Sequence, residues 1–413
     1  MKNRTYKTLK LYTLFTILVF TNQLGYAQLS PIGVNTLANT TTTQSQRHVA
    51  TAMNTNQKKV VVWQSYQGNS NSDVYFDVFG AGGTSVLGET FVPNNTNRNE
   101  RFPDIAIDDA GRFVIAWQEE VDNIWQIFYR AYSASNVGGF EIQLTGFTVP
   151  TPIPPPSPPP FFRAHQRRPS ISAEKDGNCV LAWQDSFNIS AILLDTEGFL
   201  SRPEFQIGAT ADTVLQAYPD AAIADNGDFA VVWQSTTQDG DGTGIYAQLF
   251  NASGTPKAPE FRVNSTVAGN QTGPAIAMSP SGEFVVVWSS YGTDGDGEGI
   301  YAQEYNADGT TNGSEFRVNT TTANAQDNPD VAMTSDLIYT VVFNTYVDGP
   351  KRTDVLSSTY NFGQINLESE GIISTEGTLF QQFPSIAMQA TNAIIGWQDG
   401  NVMNVSSSRI RDV

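Results

Sequence analysis

The chain has 413 residues, with 41 acidic and 23 basic side chains, one cysteine, two histidines and seven tryptophans. Charged residues make up only 15%, against roughly 25% in typical soluble domains, which argues against disorder. A net charge of −18 opposes a nucleic-acid partner, and one cysteine excludes an internal disulfide.

The N-terminus reads as a secretory signal peptide, residues 1–27. Lys2, Arg4, Lys7 and Lys10 form a basic region, Leu11 to Phe20 an apolar one, and Gly25 to Ala27 a small-x-small cleavage site. The apolar run is about half the ~20 residues of a membrane span, and no later stretch approaches that length. The expected product is secreted or periplasmic and acidic, with no membrane span.

The remainder, 28–413, repeats itself. Gly273 to Asn319 and Tyr218 to Asn264 match almost column by column, and weaker copies cover the rest. One aromatic column falls at Trp63, Trp117, Trp183, Trp233, Trp288, Phe343 and Trp397. A second reads Gln44, Glu100, Gln166, Gln216, Gln271, Gln326 and Gln381. Each copy carries four strand signals separated by turn residues; in the fifth copy they span 275–278, 283–289, 299–306 and 315–318. Phe284 to Trp288 is a continuous apolar run, as expected of a strand buried on both faces. The spacing predicts one all-β domain, a seven-bladed β-propeller with four antiparallel strands per blade.

The blades fall at 47–97, 98–146, 165–210, 215–267, 270–322, 325–378 and 380–413. The last copy lacks a fourth strand, and Pro31 to Thr36 aligns with that missing strand in the fifth copy. Residues 28–46 are therefore expected to complete the last blade and close the ring, which removes an open edge. Small residues in the inner strand (Ala50, Ala106, Ser172, Ala222, Ala277, Ala332, Ala387) fit the crowding near an axis. The tryptophan column reads as a wedge between blades, and Cys179 as a core thiol.

Alternating strand direction puts the inter-blade loops and the second-to-third-strand loops on one face. That face carries the candidate binding surface. The insertion 149–168 joins the second and third blades; its proline run is followed by Phe161, Phe162, Arg163, His165, Arg167 and Arg168. The arginines suit a carboxylate or sulfate group, and Phe161, Phe162 and Trp125 suit a sugar ring. At the start of the inner strand stand His48, Asp104, Ser170, Asp220, Ala275, Asp330 and Ser385. Asp104, Asp220 and Asp330 either ring the channel mouth or cap backbone amides. Two Asp-Gly-Asp-Gly loops (Asp239 and Asp241; Asp294 and Asp296, followed by Glu298) resemble calcium loops. They lack the full EF-hand pattern, and Asp-Gly is also a common tight-turn signal. Calcium is the one cofactor the sequence suggests.

No G-x-S-x-G, H-E-x-x-H or P-loop is present. Asp109 to Trp117 has a passing likeness to the sialidase Asp-box, without its S-x-D-x-G-x-T-W order. The consensus P-x-I-A, F-V-V-V-W-Q-S, D-G-x-G-I-Y-A-Q and E-F-R-V-N resembles a repeat of bacterial secreted and surface proteins, including adhesin-like and calcium-binding-like ones. That resemblance implies extracellular binding or adhesion; the loop-face aromatics and the arginine cluster add the expectation of a glycan or surface protein as partner, bound by a monomer. The alternatives are a carbohydrate-active enzyme (glycosidase or polysaccharide lyase) using the mouth carboxylates, and a protein-interaction scaffold.

Overall fold

The computed structural model describes residues 28–31, 36–39, 45–66, 71–93, 98–144, 165–208, 214–347, 352–374, 380–390, 392–399 and 402–411. The expected signal peptide and most of the proline insertion, including Phe161, Phe162 and Arg163, lie outside them. The protein is an all-β propeller. Six sheets have four antiparallel strands each; in the fifth these are Gln271–Met278, Phe284–Tyr291, Glu298–Tyr305 and Thr311–Arg317. The last sheet contains Gln381–Gln389, Asn392–Asp399 and Val402–Arg411. Gln28–Pro31 and Thr36–Leu37 both pair antiparallel with Val402–Arg411. No helix among the described residues is long and apolar enough to cross a membrane.

The core is a set of layers between sheets. Val286 and Trp288 pack toward the fourth sheet, while Val285 and Val287 pack toward the sixth. Both faces of the second strand are therefore buried, and this is why its sequence does not alternate. Trp63, Trp117, Trp183, Trp233, Trp288, Phe343 and Trp397 are all buried. A layer of Val49, Val61, Trp63 and Ile394 joins the seventh sheet to the first.

Four residues before the wedge, the second, fourth, fifth and sixth sheets carry a second aromatic, stacked on the end of the third strand, while Lys59, Cys179 and Ala393 take that place in the others. Phe113 stacks on Tyr132 at 4.6 Å, Phe229 on Phe250 at 4.9 Å, and Phe284 on Tyr305 at 4.7 Å. In the third sheet Cys179 pairs with Leu194 instead. The thiol is buried, and burial pushes its pKa up to about 12.

Two differences from expectation concern the inner strands. Each begins earlier than its apolar residues suggest: the fifth starts at Gln271 rather than 275. The proline does not stop the strand, because it sits in a bulge where the register shifts between Thr272 and Ala275. The first copy is also offset by two residues. Gln46 pairs with Ser65 as Gln271 pairs with Ser290, so Gln46, not Gln44, belongs to the glutamine column. Ala52 then joins the small-residue column, Ala50 the aspartate column, and His48 the residues before the proline. Val49 stands where the other copies have proline, which removed the anchor for the alignment.

The glutamines are buried and tie down inter-sheet loops, as Gln326 Nε2 does by donating to the Ala323 carbonyl at 3.1 Å. Glu100 is the exception in this column. Burial, then Glu119 and Asp73, push its pKa up to about 10.

Two predictions follow from the core. Trp288→Ala is expected to cost ~3–5 kcal/mol in guanidinium unfolding, and Trp288→Phe clearly less, since Phe343 fills the same place. Glu100→Gln is expected to raise the melting temperature, increasingly from pH 5 to pH 10. The native carboxyl keeps its proton over that range while the unfolded one loses it, and an amide removes the penalty. A pH-independent change in melting temperature would contradict this.

Candidate functional site

Every inner strand carries the same bulge, and the residue before the proline position takes positive φ in all seven sheets. The values are 49° at His48, 51° at Phe102, 52° at Arg168, 54° at Tyr218, 59° at Gly273, 49° at Asn328 and 53° at Phe383. Six of these are not glycine, and left-handed backbone at such residues is rare and costs energy. The bulge puts one residue from each sheet on the rim of a cavity of about 300 Å³. Its wall is formed by seven tripeptides, one per inner strand, of which Phe102-Pro103-Asp104 and Tyr218-Pro219-Asp220 are examples.

The rim is unevenly filled. Phe383 and His48 lie 5.2 Å apart between ring centroids, and His48 and Phe102 4.2 Å. The Arg168 guanidinium lies 4.4 Å from the Phe102 ring centroid and 3.8 Å from that of Tyr218. Five consecutive sheets thus contribute an unbroken arc of π surface and one cation. The arc ends at Gly273 and Asn328. A Cβ placed on Gly273 would meet nothing within 4 Å, so this sector is open. Burial, then Arg168, Arg47 and Arg101, lower the His48 pKa to about 3, so its ring is neutral near pH 7.

One residue beyond the proline lies the aspartate column, and its oxygens turn to neighbouring sheets. Asp104 Oδ2 accepts from the Ile171 amide at 2.7 Å, Asp220 Oδ2 from Ile276 at 2.8 Å, and Asp330 Oδ2 from Ile386 at 2.8 Å. Ser170 and Ser385 serve the same purpose: their Oγ atoms accept from the Ala221 and Thr51 amides, both at 3.1 Å. Only Ala50 and Ala275 lack such a group. Burial is the main cause raising all three carboxyls, partly offset by these amides. Asp104 and Asp330 also feel Asp220, and each is pushed up to about 7.

The remaining candidates divide between this face and structural duty. Trp125 lies 5.0 Å beneath the Arg101 guanidinium, and its amide donates to His165 Nδ1 at 3.3 Å. The structure therefore brings Trp125, His165 and Arg101 together, with Arg168 separately in the arc; Arg167 is exposed. In the Asp-Gly loops, Asp239 Oδ2 and Asp294 Oδ2 accept from Asn264 Nδ2 (3.3 Å) and Asn319 Nδ2 (3.1 Å). Asp241 accepts from the Gly269 amide and Asp296 from the Asn324 amide. Glu298 is half-buried, and burial raises its pKa. Among the described residues no group of three or more His, Cys, Asp or Glu side chains is placed to hold a metal ion.

A larger cavity, about 380 Å³, touches the second and third sheets on the opposite face, where Cys179 replaces the aromatic. Its walls are mostly apolar, with Asp108, Arg112 and Glu197 as its charged lining. The mouth combines aromatic, cationic and polar groups from seven strands and is the better candidate. Sequence reasoning missed Phe102, Tyr218, Phe383, Arg47 and Arg101. The one signal for them was position, between the glutamine and the proline.

The aspartate column generates a pH prediction. Between about pH 4 and 7 the native state holds protons on Asp104 and Asp330 that the unfolded chain has released, so stability falls as pH rises through that window. The fall in melting temperature from pH 5 to pH 8 should be smaller in Asp330→Asn, whose amide oxygen still accepts a backbone hydrogen bond without charge. An unchanged fall in that variant would contradict the assignment.

No family model and no curated protein matches the chain. Solved structures do match its fold. Polysaccharide lyase Uly1 has a TM-score of 0.53 at 9% identity, over 95% of this chain and 94% of that one. The α-L-arabinanase of Penicillium chrysogenum, complexed with arabinobiose, has a TM-score of 0.51 at 11% identity, over 92% and 98%. A protein of unknown function from Dyadobacter fermentans has a TM-score of 0.52 at 12% identity, over 78% and 97%. At these identities the chain is similar to them in propeller fold alone.

Proposed function

We propose that the protein is a secreted, non-catalytic binding module that takes a glycan at the channel mouth, within a seven-bladed ring closed by its N-terminal strands. Closure is supported by the pairing of Gln28–Pro31 with Val402–Arg411 and by the Ser385 contact to Thr51 across the seventh and first sheets. The observation that carries the functional reading is the aromatic arc. Sugar rings present a C–H face that packs on aromatic surfaces, and Asn328 adds a polar side chain to the same wall. Left-handed backbone held at six non-glycine positions is strain of the kind concentrated at functional sites.

A glycosidase or lyase working through Asp104, Asp220 and Asp330 is less well supported. Both oxygens of Asp220 and of Asp330 already accept hydrogen bonds from protein donors. A catalytic pair needs one carboxyl free toward the scissile bond or water.

On a glycan array the wild-type protein is expected to bind without turnover in reducing-sugar and unsaturated-product assays. Gly273→Phe should fill the open sector and weaken binding roughly tenfold or more, about 1.4 kcal/mol. A side chain at this φ is strained, so the melting temperature should fall by the equivalent of about 1–3 kcal/mol, while the variant still folds as its neighbours do with Phe, Tyr and His at nearly the same φ. Undiminished binding by this variant would move the site away from the mouth. Turnover abolished by Asp220→Asn would establish the enzymatic alternative instead.

A further inference from the structure

We propose that the ligand of the channel mouth is an anionic sugar, whose carboxylate or sulfate group is gripped in-plane by Arg168, with Arg101 and Arg47 supplying the surrounding positive field. This rests on the glycan reading above and narrows it. Arg168 is held from several sides. Its backbone amide donates to Gln118 Oε1 at 2.9 Å, its φ is 52°, and its guanidinium lies over the rings of both Phe102 and Tyr218 and hydrogen-bonds the Tyr218 side chain. A guanidinium stacked on aromatic rings meets a ligand through its N–H edge, and that edge matches the two oxygens of a carboxylate or sulfate.

The chain carries 41 acidic groups against 23 basic ones. Four other arginines are paired, Arg98 with Glu119, Arg112 with Asp108, Arg130 with Glu141 and Arg352 with Asp354. Among the described residues no ion pair is formed by Arg47, Arg101 or Arg168. Arg47 instead donates to Ser45 and lies over Tyr66, and Arg101 lies over Trp125. All three act on the same ring, that of His48, which they help to keep neutral. Arg168 thus lines the cavity without an ion pair, and Arg47 and Arg101 lie close enough to act on His48 in its wall.

The groups opposing an anion are Asp104, Asp220 and Asp330, which line the same cavity. Their oxygens are directed at backbone amides of adjacent sheets and at Ser170, which balances part of their charge locally. With a screening length of about 8 Å at physiological ionic strength, the guanidinium in contact with the ligand outweighs more distant acid elsewhere on the protein.

The test uses the chain without residues 1–27 and calorimetric titration with trigalacturonate, its methyl ester, a sulfated oligosaccharide, cellotriose and inorganic sulfate, at 20 and 200 mM NaCl. The expected result is binding of trigalacturonate or the sulfated sugar, at least tenfold weaker binding of the uncharged ones, and weakening with salt. Arg168→Gln should lose at least tenfold, and Arg168→Lys should not restore it, because an ammonium lacks the fork. The methyl-ester comparison is made on the wild-type protein and stands even if the variants fold poorly. Methyl ester or cellotriose binding as tightly as the charged sugars would overturn the anionic inference and leave the glycan reading intact. Binding of inorganic sulfate with no affinity for any of the four sugars would overturn the glycan reading and leave Arg168 as an anion site. No binding of any of these would overturn both.

Discussion

A proline in the middle of a strand has no N–H to give to the ladder, and its ring restricts the residue before it. In six of the seven inner strands of this protein the chain accommodates that proline with a one-residue bulge; the first strand keeps the bulge although Val49 replaces the proline. Much of the rest depends on this detail. The bulge forces left-handed backbone on the preceding residue, turns its side chain toward the central cavity, and brings the following Asp or Ser against the next sheet. Strain at six non-glycine residues, each costing about 1–3 kcal/mol, persists only because apolar layers on both sides of every second strand hold the sheets in place. The fold supplies the stability, and the mouth uses part of it.

The two columns flanking the proline divide the work. The residues before it vary in kind and share only a backbone conformation. Those after it are mostly Asp or Ser and connect one sheet to the next through amides. A carboxylate in that second column gains hydrogen bonds but loses hydration, and burial dominates: Asp104 and Asp330 are held near neutrality rather than firmly ionised. Serine makes the same connection at Ser170 and Ser385 without a charge. The column therefore reads better as a set of struts than as catalytic machinery, although its members line the same cavity as the arc.

How much of this could be read in the sequence depended on periodicity. The wedge column was legible because Trp233 and Trp288 sit in nearly identical surroundings, and Phe343 preserves the pattern in a weaker copy. Strand order and sheet count were legible for the same reason. The register of the first copy was not, because Val49 offers no proline to align on, and His48 was therefore placed with the aspartates when it belongs in the arc. Phe102, Tyr218 and Phe383 were harder still. A column holding histidine, aromatics, arginine, glycine and asparagine has no common chemistry, and its shared property, the sign of φ, leaves no mark in composition. Asp239 and Asp294 show another case: what the spacing left unread is that each accepts a hydrogen bond from the asparagine that ends the E-F-R-V-N motif.

The pairing of Gln28–Pro31 and Thr36–Leu37 with Val402–Arg411 bears on the order in which the protein can be made. Six sheets are each assembled from one contiguous stretch and can form as the polypeptide emerges. The last requires segments more than 360 positions apart, the longest loop closure in the molecule. Until that meeting takes place, Val402–Arg411 has an open edge that another copy's N-terminal segment can occupy equally well. Newly made molecules at high concentration therefore face a choice between sealing themselves and exchanging strands.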